Sequence, residues 1–181
     1  IYLVHPDGTG IRRLTDGGKE NNRLGGWSPD GRFFTLGSNR RAPEGIDAYV
    51  CDPDAGTLRL VSENRGIGGF TDISRDGGHA ILSRTVSRGN NDLFRVDLQT
   101  GSETLLTPHE GPANLSGAFG ADVRTIYLAS DLAGDLRVFV RLDLDARPIP
   151  LDALDQRIRA DVAAIQRELA EGGLRCVTIA I

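Results

Sequence analysis

The sequence predicts an all-β chain: a partial β-propeller of four-stranded antiparallel blades with a 46-residue repeat, followed by a C-terminal helix and strand. Three observations predict it. A short Asp-Gly turn recurs at a fixed interval. The runs on either side of that turn recur in the same order. The composition is that of many short elements joined by tight turns: Gly makes up 23 of 181 residues, nearly twice the usual share of about 7%, and Asp outnumbers Glu 18 to 7.

The turn is Trp27-Ser28-Pro29-Asp30-Gly31. It returns as Ile73-Ser74-Arg75-Asp76-Gly77, and more weakly as Phe119-Gly120-Ala121-Asp122-Val123, both steps being 46 residues. Such a turn has a mechanical reason. Gly takes a positive φ without a Cβ clash, and Asp bonds the local backbone.

After each turn comes an apolar run, at Phe33–Leu36, Ala80–Leu82 and Ile126–Ala129. A polar loop follows, then an alternating strand at Ala48–Asp52, Leu93–Leu98 and Leu136–Leu142. Alternation suits a half-buried strand. The shorter apolar run suits a strand buried on both faces between neighbouring blades. A second turn (Asp54–Thr57, Gln99–Ser102) leads to a closing strand, Leu58–Val61 or Glu103–Leu106, with a version broken by proline at Arg147–Leu151. The first residues repeat this tail, with Ile1–Val4, the turn Asp7–Gly10 and Ile11–Leu14.

The expected propeller region is 1–151, with half a blade at 1–15 and blades at 24–61, 70–107 and 116–151. Closed propellers need about four to eight blades. Three and a half leave bare strand edges, and the sequence contains no Met. The expectation is a piece of a larger propeller protein.

Residues 152–181 break the period. Leu151, Leu154, Ile158, Val162, Ile165 and Leu169 have helical spacing. Asp152 is an N-cap candidate and Gly172-Gly173 a stop. The prediction is an amphipathic helix over 152–171 and a strand over 174–181, as an insertion or the start of a next domain. The apolar stripe is expected to pack on the rest of the protein.

The net charge of −4 argues against a nucleic-acid-coating protein or one that binds an anionic membrane surface. The arginine pairs Arg12-Arg13 and Arg40-Arg41 are sparse, with acids interleaved, and Lys19 is the only lysine. No apolar run approaches the roughly 18 residues of a membrane span. The first residues carry no signal-peptide pattern. Cys51 and Cys176 are too few for a disulfide framework or a cysteine zinc site and read as buried, inert thiols. His5, His79 and His109 lack ligand spacing and read as isolated surface or turn residues. Asp30, Asp76 and Asp122 share a turn position and read as backbone-bonding residues, not as an acid–base pair. No catalytic residue, cofactor or metal ligand is assigned.

Three stretches resemble the N-terminal propeller of prolyl oligopeptidase-family serine peptidases: Glu20–Gly31, Leu106-Thr107-Pro108-His109-Glu110-Gly111-Pro112 and Ile126-Tyr127-Leu128-Ala129-Ser130-Asp131. The resemblance covers about 1–150. The Trp-Ser-Pro-Asp-Gly unit is shared with TolB-like propellers of the bacterial envelope. The resemblance implies a propeller beside an α/β-hydrolase catalytic domain in the parent chain, restricting access of large peptide substrates. The sequence contains no G-x-S-x-G nucleophile elbow, so no catalytic residue carries over. The alternative is a TolB-like protein–protein scaffold, which would place the protein in the periplasm rather than the cytoplasm. A third reading is a repeat protein that closes by self-association through 152–171.

Blade geometry puts the loop between strands two and three on the same rim as the connection to the next blade. The expected rim comprises Gly37–Asp47, Arg84–Asn91, Ser130–Asp135 and the connections near Lys19-Glu20 and His109-Glu110. Loops on a rigid scaffold carry binding residues. The candidate docking residues are Arg40, Arg41, Glu44, Arg84, Arg88, Asn90, Asn91, Asp131 and Asp135.

Overall fold

The computed structural model describes residues 1–132, 134, 136–145 and 179–180. A two-stranded ribbon, β1 (Tyr2–Leu3) and β2 (Arg12–Arg13), precedes three sheets. The first sheet is β3 (Asn22–Trp27), β4 (Phe34–Ser38), β5 (Asp47–Asp52) and β6 (Thr57–Ser62), in sequence order and antiparallel. The second repeats it with β7 (Gly68–Ile73), β8 (His79–Ser87), β9 (Asn90–Asp97) and β10 (Glu103–Leu105). The third has β11 (Leu115–Phe119), β12 (Thr125–Ser130) and β13 (Val138–Asp143).

The third sheet departs from the pattern at its outer edge. There β14 (Ile179–Ala180) pairs with β13 in parallel, not antiparallel. The closing strand expected at 147–151 lies outside the described residues. Its Pro148 and Pro150 lack the N–H that a ladder requires. The helix expected over 152–171 also lies outside them, as does Cys176.

The recurring turns have one construction. Ser28 Oγ donates to Asp30 Oδ1 at 2.7 Å, and the Phe33 amide donates back to Ser28 Oγ at 3.1 Å. Ser74, Asp76 and His79 repeat these bonds at 2.6 and 2.9 Å. Gly31 and Gly77 take φ of 71° and 68°, where an L side chain is strained. The third turn lacks the serine, and Asp122 Oδ1 accepts from the Arg124 and Thr125 amides directly. These bonds stabilise the ionised carboxylates. The Ser28 hydroxyl, then the Arg32 amide and guanidinium, hold Asp30 at about 2. Ser74 lowers Asp76, and the Thr125 amide lowers Asp122.

The core lies between sheets. β4 is buried along its whole length, as a strand covered on both faces must be. Phe34, Leu36, Tyr49 and Cys51 face the ribbon with Leu14, Ile1 and Leu3. On the other side Ala48 meets Leu82 and Val96 of the second sheet. The second sheet's Ile81 and Leu93 meet Leu115, Ile126, Leu128 and Val140 of the third. Each such fully buried aliphatic contributes about 1.5–3 kcal/mol. Polar ties cross the same seams. Arg12 donates to the Asp54 carbonyl at 2.9 Å, Arg59 to the Leu98 carbonyl, and the Phe119 amide to Asp72 at 2.6 Å.

Candidate functional site

The loop between β4 and β5 returns sharply at Gly45, whose backbone lies against the Asn64 carbonyl. The return places Arg41 over Asp47, at the start of β5. Arg41 Nε donates to Asp47 Oδ2 at 2.7 Å and Nη2 donates to Oδ1 at 3.0 Å. The Asp47 side chain is fully buried. Its Oδ1 also accepts the Asn64 amide at 2.7 Å. Burial pushes the Asp47 carboxyl up, but the Arg41 and Asn64 bonds overcome that and leave it below the ordinary value.

Asn64 extends the chain of bonds into the next blade. Its Nδ2 donates to the Ile46 carbonyl at 2.9 Å, and its Oδ1 accepts from Arg84 Nε at 2.7 Å. Arg84 Nη2 donates to both Glu103 oxygens at 2.9 and 3.0 Å and to Ser62 Oγ at 3.1 Å. The Arg84 guanidinium lies 4.5 Å from the Phe94 ring centroid, a cation–π contact. Two of the candidate docking arginines, Arg41 and Arg84, are therefore ties within and between blades.

Arg40 bonds Asp16 at 2.8 Å and lies 4.0 Å from Glu20. It joins this loop to the connection after β2. Arg40 and Arg41 also edge an open hollow of about 580 Å³, with Leu14, Tyr49 and Leu60 beneath. Burial, and then the Asp47 charge, raise Tyr49.

The second rim cluster joins β9 to β11. Asn91 mimics a strand: its Nδ2 donates to the Leu115 carbonyl and its Oδ1 accepts the Leu115 amide, both at 2.9 Å. Asn90 Oδ1 accepts the Ala113 amide at 3.2 Å and lies 3.0 Å from His109 Nε2. His109 Nδ1 lies 2.7 Å from the Thr107 carbonyl and 3.6 Å from Asp92. His109 lies in the connection between β10 and β11, the turn half of the surface-or-turn expectation, and its side chain is only 5% exposed. Asp131 accepts from the Asn114 side chain and amide, which lower its carboxyl in that order.

Glu44 and Arg88 enter none of these bonds. Both are exposed. Arg88 precedes Gly89, whose φ is 73°, at the tip of the β8–β9 hairpin. Asp135 lies outside the described residues. Sequence reasoning missed Asp47, Ser62, Asn64, Glu103 and Asn114, which complete the rim bonds. At the opposite end of the blade, Trp27 packs on Phe34 at 5.1 Å between ring centroids. Cys51 is buried, which raises its thiol. Among the described residues no three His, Cys, Asp or Glu gather to hold a metal, and no helix is long and apolar enough to cross a membrane.

No protein-family model matches the sequence, and no curated protein does. Solved structures do. TolB from Acinetobacter baumannii is similar with a TM-score of 0.62 at 19% identity, over 80% of this chain and 35% of that one. An oligogalacturonate lyase in complex with manganese is similar at 0.62 and 18%, over 84% of this chain and 42% of that one. A prolyl endopeptidase is similar at 0.62 and 16%, over 82% of this chain and 23% of that one.

The chain has the β-propeller fold. It spans less than half the length of each of these three structures. The same propeller fold serves TolB, a lyase and peptidases. Fold is shared across unrelated chemistries, so the activity has to be argued from the site.

Proposed function

We propose that this chain is a non-catalytic propeller segment of a prolyl oligopeptidase-like serine peptidase, gating or positioning peptide for an α/β-hydrolase domain in the parent chain. The observation that carries the reading is the division of labour on the rim. Arg41, Arg84, Asn90, Asn91 and Asp131 are spent on holding loops and blades in place. Glu44 and Arg88 stand exposed on that braced frame. A rigid rim carrying a few exposed charges suits a surface that selects what passes it. The resemblance at Leu106–Pro112 and Ile126–Asp131 supports the peptidase context.

The test is the charge reversal Arg88→Glu with Glu44→Arg in the parent protein, assayed on peptides of increasing length. The expected result is a change of about fivefold in the kcat/KM ratio of long to short peptides, about 1 kcal/mol at an exposed charge. Thermal stability stays unchanged. An unaltered ratio overturns the gating role. The similarity to TolB supports a second reading, a protein–protein scaffold without a hydrolase. That reading gains if the parent protein carries no hydrolase activity.

A further inference from the structure

Two seams between neighbouring sheets are filled differently, and the registers make them comparable residue by residue. Ser38 pairs with Asn22 and Asp47, as Arg84 pairs with Gly68 and Asp92. Tyr49 pairs with Leu36 and Leu60, as Phe94 pairs with Leu82 and Leu105. Leu58 opposite Cys51 matches Glu103 opposite Val96. At the seam between the first and second sheets these positions close the space. Arg84 lies over Phe94 and bonds Glu103 and, across the seam, Ser62. At the seam between the ribbon and the first sheet, Ser38 and Leu58 stand in place of that ion pair. The room left there is the open hollow of about 580 Å³, with Leu14, Tyr49, Leu58 and Leu60 as apolar lining and Arg40 and Arg41 at its charged end.

We propose that this hollow and the free edge of β6 together dock an extended segment of a partner protein, one that carries apolar side chains at alternate positions and a carboxylate for Arg40. β6 pairs on one side only, with β5, so its outer edge offers ladder groups to an added strand. Leu58 and Leu60 both line the hollow, and an added strand sends alternate side chains to that same face. In the third sheet the outer edge of a blade already takes a strand from a distant part of the chain, where β14 pairs with β13 in parallel. The charge follows from the comparison of the seams. The second seam holds an arginine together with its carboxylate, whereas the first has arginines and a leucine where Glu103 would stand. Arg41 spends two of its N–H groups on the buried Asp47. Arg40 bonds only the largely exposed Asp16, and an exposed pair contributes little, so a partner carboxylate replaces Asp16 at small cost. The site concerns binding on the outer strand alone, so it stands apart from the peptidase reading and survives its failure.

The experiment is fluorescence anisotropy on the full protein with a labelled, C-terminally amidated heptapeptide that alternates threonine with leucine and ends in aspartate. Two control peptides carry lysine for the aspartate, or serine for each leucine. The expected result is saturable binding of the first peptide, weakened about fivefold by the lysine exchange and about tenfold or more by the serine exchange. Leu58→Glu puts the second seam's carboxylate into the hollow and should weaken binding about tenfold at an unchanged melting temperature. Arg40→Glu leaves the apolar lining intact and should reverse the preference between aspartate and lysine, which keeps the test decisive if Leu58→Glu fails to fold. Three results overturn the inference: no binding of the leucine–aspartate peptide, binding equal to that of either control, or binding that the folded variants leave unchanged.

Discussion

Arg41 grips Asp47 with two hydrogen bonds, 2.7 Å from Nε and 3.0 Å from Nη2, and the carboxylate it grips is wholly buried. The pair fixes the long loop of the first blade. Removing Arg41 leaves the desolvation of the buried Asp47 carboxylate uncompensated, at about 3–5 kcal/mol. Only the Asn64 amide would still bond it. Urea unfolding of Arg41→Ala should show a loss of that order. Arg40→Ala, whose Asp16 partner is largely exposed, should cost about 1 kcal/mol or less. Equal losses would contradict the assignment.

Arg84 is a fork, and lysine is not. Arg84→Lys keeps the charge near Glu103 but loses the separate Nε bond to Asn64 and the flat group over Phe94. A loss of about 1–3 kcal/mol is expected, with hydrogen exchange quickening in the connection between the first and second sheets. A lysine variant as stable as the parent would show that charge alone matters there.

Two glycines separate strain from clash. Gly89 has φ of 73° and open space around it. Gly89→Ala should cost about 1–2 kcal/mol for the left-handed backbone. Gly101 has φ of 76°, and a Cβ there would stand 2.9 Å from the Val61 carbonyl oxygen of the neighbouring blade. Gly101→Ala should cost measurably more in the same denaturation series. The reverse order would contradict the blade seam described at that point.

Asp30, Asp47, Asp76, Asp122 and Asp131 are all held below the ordinary carboxylate value. A lowered carboxyl adds stability that is complete above the unfolded value, about 3.9. That stability is lost as pH falls through the folded value, about 2 for Asp30. The urea midpoint should therefore fall between about pH 5 and pH 2, because the unfolded chain binds more protons there. Asp76→Asn should flatten the fall. An unchanged slope would show that these turn bonds do not distinguish folded from unfolded carboxylates.

The blade architecture was legible because its signals are local. Ser28, Asp30 and Gly31 make their turn within a few residues, and the apolar spacing of β4, β8 and β12 follows directly. The rim was legible only as a set of loops. A lone Arg in a loop reads the same whether it projects into solvent, like Arg88, or folds back, like Arg41. Its partner decides, and the partners are distant in sequence: Asn64 bonds Asp47 across 17 residues and Arg84 across 20. His109 escaped for the same reason, since its burial depends on Asn90 and Asp92 in another strand.

The proposed role makes this segment the companion of a serine hydrolase domain elsewhere in its parent protein. The most direct measurement treats native lysate with a fluorophosphonate serine-hydrolase probe and captures the parent protein with an antibody to this segment. The expected result is a covalently labelled band several times heavier than 19.5 kDa. An unlabelled band, in a lysate whose other hydrolases are labelled, would contradict it and leave a binding propeller.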